Sequence, residues 1–173
     1  MIEITKYLQT VYEDLQRYVD NDVCLCKFKE LNFEAGALPD YEDINIQQLY
    51  LLRYAFAYAF EYSRMYLDVL SQMDGVNGIS VTSVGCGSMI DYWSLVHALE
   101  MKRKIDCSIR YVGIDKIDWS YKIPKRQNDE VHYLIGNAAD VFAHNSQFIS
   151  NVYFFPKSIS EFSDGCLLYT SPS

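Results

Sequence analysis

Gly85 and Gly87 flank Cys86 at the end of a β-type run, Val81-Thr82-Ser83-Val84, and the chain then passes straight into an amphipathic stretch. Thirty positions after Gly85 a second strand-like run, Arg110-Tyr111-Val112-Gly113-Ile114, ends on Asp115. A glycine turn after one strand and an acid at the end of the next are suited to holding a nucleoside. Glycine lets backbone come close to a ligand, and a carboxylate accepts hydrogen bonds from both ribose hydroxyls. The fingerprint for a dinucleotide needs a third glycine, G-x-G-x-x-G, where the helix packs beside a pyrophosphate. Ile90 occupies that position, and Asp91 sets a carboxylate where a diphosphate would lie. A nicotinamide-dependent oxidoreductase is therefore the weaker alternative.

Other residues that could do chemistry are scattered. Five cysteines, Cys24, Cys26, Cys86, Cys107 and Cys166, form no C-x-x-C pair and no zinc spacing. Their odd number, without an apolar signal core at the N-terminus, predicts reduced thiols, a cytoplasmic protein and no metal. Cys86 reads as a small apolar filler, and His97, His132 and His144 as structural. No run of 18 apolar residues occurs, which predicts no membrane span. The net charge of -8 argues against a general binder of polyanions. The charge is uneven, however: residues 102–126 hold eight bases against three acids, and residues 1–75 hold 13 acids against six bases. The basic segment predicts a local basic face.

The elements that must position these residues follow from periodicity. Ile4, Tyr7, Leu8, Val11, Tyr12, Leu15 and Val19 recur at helical spacing over 2–20. Asp43 can cap a long helix over 44–73, ended by Gly75 and Gly78. Within it Tyr50, Tyr54, Tyr58, Tyr62 and Tyr66 fall every four residues, as a packing ridge or as a lid that, with Arg53 and Glu61, faces the mouth of the site. From Ile79 strands and helices alternate, which implies a parallel sheet. Strands are expected over 80–84, 110–114, 131–135 and 151–155, with helices after Ser88 and over 139–144 and 158–162. Ser88 and Asp91 have the spacing of a capping box. Asp118–Tyr121 reads as a short helix or turn. Residues 166–173 resemble a vector-derived tail and are set apart from the fold.

The run from Ser80 to Phe162 resembles the class I S-adenosylmethionine-dependent methyltransferases. Val84-Gly85-Cys86-Gly87-Ser88 is similar to their first motif, Gly113-Ile114-Asp115 to the end of their second strand, and Gly136-Asn137-Ala138-Ala139-Asp140 to the segment after their third. Asn151 to Phe162 is similar to their fourth-strand motif. The resemblance implies an α/β fold with a Rossmann-like parallel sheet of order 3-2-1-4, incomplete, behind an α-helical N-terminal segment. It implies a helical part or lid over 1–75 and a cofactor-binding part over 76–165. S-adenosylmethionine is the implied cofactor. Gly85, Cys86 and Gly87 would lie along its methionyl part, Asp115 would clamp the ribose, and Lys116 and Ile117 would flank the adenine. Asn137 and Ala138 would reach the adenine edge, and Phe155, Pro156 and Lys157 would line the space beside the methyl group. Lys157, Tyr58 and Arg53 are the substrate-side candidates.

The chain departs from the family pattern at several positions. Met89 stands where the fuller first motif has its third glycine, and Asn151 where the fourth strand usually begins with an acid. No D/N-P-P-Y/F tetrapeptide is present after the fourth strand, which lowers the case for methylation of a base nitrogen. The family sheet has seven strands and four are legible here, so a fragment is expected, with strand four as an exposed edge. The acceptor is unknown. The basic 102–126 segment, with Leu51-Leu52-Arg53-Tyr54 similar to some ribosome-associated members, puts RNA ahead of a small molecule. The alternative is a non-catalytic relative acting as an interaction module.

Overall fold

The computed structural model describes residues 3–18, 39–73, 75, 77–144 and 149–156. In chain order they form α1 (Ile4–Tyr18), α2 (Ile44–Ser71), β1 (Gly78–Val84), α3 (Ile90–Met101), β2 (Ser108–Asp115), β3 (Glu130–Ile135), α4 (Ala138–His144) and β4 (Val152–Phe154). The fold is mixed α/β, with one parallel sheet of order β3-β2-β1-β4. The expected strand order holds, and the expected strands lie within two residues of those observed. The predicted helix over 158–162, Lys157 and the 166–173 tail lie outside the described residues.

Strand alternation sorts the sheet's two faces. Ile79, Val81, Ile109 and Tyr111 face the main core, which they share with α1, α2 and α3. Val84, Val112, Ile114 and Ala138 face the other side, where Val141 and Phe142 of α4 cover them. α3 packs against both the sheet and α2, and Tyr92, Leu95, Val96, Ala98 and Leu99 are all buried. α2 approaches it over Ala55 and Ala59, close enough for the Ser94 hydroxyl to donate to the Ala59 carbonyl at 3.1 Å. The Asp43 carboxylate caps α2 as expected, accepting from the Asn45 N–H at 2.8 Å. α1 and α2 therefore share one hydrophobic core with the sheet.

Two local expectations fail. Ser88 does not cap α3. Met89 occupies the capping position in left-handed backbone (φ 67°) and makes no side-chain cap bond. This delays the helix to Ile90 and turns Asp91 inward. Residues 118–121 form no helix. That stretch is pulled away from helical geometry by distant partners: the Ser120 N–H donates to Gln47 Oε1 (2.8 Å), Gln48 Nε2 donates to the Tyr121 hydroxyl (2.6 Å), and the Tyr7 hydroxyl donates to the Tyr121 carbonyl (3.0 Å). Gln47 and Gln48 are fully buried, so these bonds are made away from water and are costly to lose.

Gly113 is dictated by packing. A Cβ there would lie 2.7 Å from Cys86 Sγ and 3.0 Å from the Tyr111 ring. Gly113→Ala is expected to cost about 2 kcal/mol through overpacking. Urea denaturation should show the loss, with part of it recovered when Cys86→Ala is added. An unchanged midpoint in the single variant would mean that the thiol is not held in this notch.

Candidate functional site

The carboxyl ends of β1, β2 and β3 open into a cleft of about 600 Å³, within the range of pockets that hold one small ligand. This is the edge where ligands bind parallel sheets, because the glycine-rich turns and helix starts gather there.

The glycine turn and the acid are directly joined. The Gly87 N–H donates to Asp115 Oδ2 at 2.7 Å, and the Ile117 N–H donates to Oδ1 at 2.9 Å. Gly85 and Cys86 both donate to the Ile114 carbonyl, at 2.8 and 3.2 Å. Gly85 (φ 74°) and Gly87 (φ 51°) adopt the left-handed backbone that side chains resist, and the Trp119 ring lies in van der Waals range of the Gly87 Cβ position, at 3.4 Å. Asp115 is half-buried. Burial raises its pKa above the ordinary carboxylate value, against backbone N–H groups and the Lys116 charge, which lower it. The acid is thus held in place before any ligand arrives.

An aromatic wall faces the turn. Trp119 packs on Tyr41 and Tyr50 with ring centroids 5.6 and 5.4 Å apart. From Tyr50 the row continues through Tyr54, Tyr58 and Tyr62, ring on ring, and Tyr62 and Tyr66 end on Phe154 of β4. The tyrosine row divides between the cleft and the core. Tyr50, Tyr58 and Tyr62 line the cleft, while Tyr66 is buried in the core.

The other predicted site residues divide. Gly85, Cys86, Gly87, Asp115, Lys116, Asn137 and Ala138 all line the cleft, as does Pro156. Phe155 does not. It packs against the Val84–Ile114 cluster on the α4 side of the sheet. Arg53 is exposed on α2, its guanidinium 5.1 Å from the Tyr54 ring centroid, and neither it nor Glu61 reaches the cleft. Asn137 commits one lone pair of its side-chain oxygen to the start of α4, accepting from the Ala139 N–H at 2.9 Å, and leaves both amide hydrogens for a ligand. His97, His132 and His144 lie beside Ser63, Glu130 and the Asp140 carbonyl, away from the cleft.

Four residues that sequence reasoning did not assign also line the cleft: Pro39, Asp40, Tyr41 and Glu42. Trp119 and Asp91 join them, the first read as part of a helix or turn and the second as a cap. Asp91 is buried on α3, and the Tyr111 hydroxyl lies 3.0 and 2.9 Å from its two carboxylate oxygens. Burial pushes its pKa up from 3.8 to about 6, against the Tyr111 and Ser83 hydroxyls and two backbone N–H groups, which lower it. The folded chain therefore binds this proton more tightly than the unfolded chain. The stability gained from it is full below pH 3.8 and lost as the pH rises through about 6. Urea midpoints between pH 5 and 7.5 are expected to flatten in Asp91→Asn relative to wild type. Parallel profiles would show that Asp91 does not titrate in this window.

The basic 102–126 segment does not gather into one face. Lys102, Arg103 and Lys104 follow α3 at the start of β2, while Lys116 and Lys122 follow its end, with the whole strand between them. Arg126 turns inward, donating to both oxygens of the buried Asp129 (2.8 and 2.9 Å) and to the Cys107 carbonyl. Among the described residues no group of His, Cys, Asp and Glu could hold a metal ion, and no helix is long and apolar enough to cross a membrane.

No family model matches the chain, and neither does any curated protein or solved structure.

Proposed function

We propose that the chain binds S-adenosylmethionine in a Rossmann-like site and is the cofactor-binding part of a methyltransferase. The observation that carries this reading is the bond from the Gly87 N–H to Asp115 Oδ2 at the carboxyl edge of a parallel sheet. It ties the turn that admits the ligand to the acid suited to its ribose. The charge of the cleft supports the same ligand. Among the described residues Asp40, Glu42, Asp91 and Asp115 line it against a single base, Lys116. Such a lining repels a pyrophosphate and suits a ligand bearing a sulfonium and an ammonium, which aromatic rings also favour. The dinucleotide alternative is disfavoured by this charge and by Ile90 in place of the third glycine.

The cofactor supplies an activated methyl group. The chain supplies alignment and exclusion of water, and the Tyr50–Tyr58–Tyr62 wall is suited to the second task. The acidic lining and the dispersal of the basic segment move the acceptor reading from RNA to a small molecule without phosphate. Of the substrate-side candidates among the described residues, Tyr58 lines the cleft and Arg53 does not.

Calorimetric titration of S-adenosylhomocysteine into the folded chain tests this, with NADH as the comparison. Micromolar binding of the first and none of the second is expected. A folded chain that ignores S-adenosylhomocysteine would overturn the reading. Binding without methyl transfer from a labelled donor to any cell extract would favour the interaction module.

A further inference from the structure

Asp91 is a buried carboxylate without a cation. Among the described residues it takes part in no ion pair, and Lys116, at the other side of the glycine turn, is the only base lining the cleft. Its neighbours are neutral or acidic. Tyr111 on β2 donates to it, Ser83 on β1 lies beside it, and Tyr62 and Tyr66 on α2 and Cys86 in the glycine turn all feel its charge. Buried carboxylates are ordinarily paired, because an isolated charge in a low-dielectric interior is expensive. A buried carboxylate that lines an open cleft, with no cation beside it among the described residues, describes a receptor for a cationic group.

We infer that Asp91 is the binding residue for the cationic centre of the ligand, with the ligand supplying the counter-ion that no described residue provides. The sequence spacing offered Asp91 only a role as capping-box partner to Ser88, and in the fold Met89 stands at the capping position instead of Ser88. Its position in the first turn of α3 still helps, since the helix N-terminus favours a negative charge and keeps the group ionised enough to act. The inference rests on the proposed cofactor for the identity of the cation, an ammonium or a sulfonium.

Three ligands separate the possibilities. S-adenosylmethionine carries both cations, S-adenosylhomocysteine keeps the ammonium alone, and methylthioadenosine has neither. Asp91→Asn keeps the shape and the acceptor for Tyr111 while removing the charge. It is expected to weaken S-adenosylmethionine by about 30-fold or more and to leave methylthioadenosine unchanged. S-adenosylhomocysteine tracks the first ligand when the ammonium is the partner and the second when the sulfonium is. Equal losses on all three ligands, or no loss on any, would overturn the inference. A melting curve of the ligand-free variant decides independently of the cofactor's identity. A charge kept for a ligand burdens the empty protein, so Asp91→Asn should melt about 5 °C higher at pH 7.5. A lower melting temperature would make Asp91 a structural residue. If the wild-type chain binds none of the three ligands, the cofactor reading fails, and the melt still decides the role of Asp91.

Discussion

Asp115→Ala should abolish measurable binding of S-adenosylhomocysteine while leaving the chain folded. The carboxylate is the group on the cleft wall best placed to accept two hydroxyl donors from a ribose, and it is already fixed by the Gly87 and Ile117 N–H groups. Hydrogen bonds to a charged group contribute roughly 1.5–3 kcal/mol each, so losing two corresponds to an affinity loss of about a hundredfold or more. The alanine variant also removes the Gly87 tie to β2, leaving the turn held there by the Gly85 and Cys86 bonds to the Ile114 carbonyl. Asp115→Asn keeps the shape and one acceptor oxygen, and should fall by about tenfold. Circular dichroism and calorimetry on the three chains provide the check. Unchanged affinity in Asp115→Ala would place the ligand elsewhere in the cleft or remove it altogether.

The second large effect lies at the opposite end of β2. Asp129 is buried and accepts from Arg126 through two bonds, from the Tyr92 hydroxyl at 2.6 Å and from the Ile109 N–H at 3.2 Å. Tyr92 in turn accepts from the Arg126 N–H at 2.9 Å. One carboxylate thus joins α3, β2 and the segment that leads into β3. Removing one partner of a buried ion pair typically costs about 3–5 kcal/mol, because the remaining donors stay desolvated. Asp129→Ala is expected to lower the melting temperature by about 10 °C. Arg126→Lys, which cannot make the two-pronged contact, should lose less. Melting curves within a degree of wild type would show that the network is not holding the loop. The same network explains why Arg126, one of the bases that suggested a nucleic-acid face, is not available to a phosphate.

What the sequence disclosed was what repeats or is local. Alternation and helical spacing placed four strands and four helices, and the order of the sheet matched its expectation. The glycine turn and Asp115 were legible because turn geometry and strand ends are encoded within a few residues. The rest depended on long-range contacts. Gln47 and Gln48 hold the segment after β2 from more than 70 positions away, and so Trp119 could not be placed on the cleft wall from its neighbours. Asp91 matched a capping box in spacing. The left-handed Met89 shifted the helix start by one residue and turned the acid toward Tyr111. Pro39 to Glu42 reach the cleft because Gln47 ties them down, with its Nε2 donating to the Tyr41 carbonyl at 2.7 Å. Phe155 was misplaced because strand alternation sends it to the opposite face from Phe154.

The fit of Cys86 against Gly113 also has a use in time. The thiol is buried, and burial raises its pKa well above the ordinary value, so it has neither the access nor the ionisation that alkylating reagents require. Modification must wait for the glycine turn to lift off β2. The rate at which Cys86 is labelled, tracked by peptide mass, is then a clock for opening of the cleft floor. Cys107, buried at the far end of the same strand, supplies a second clock for comparison. A ligand seated on the turn should slow the first and leave the second running at its own pace.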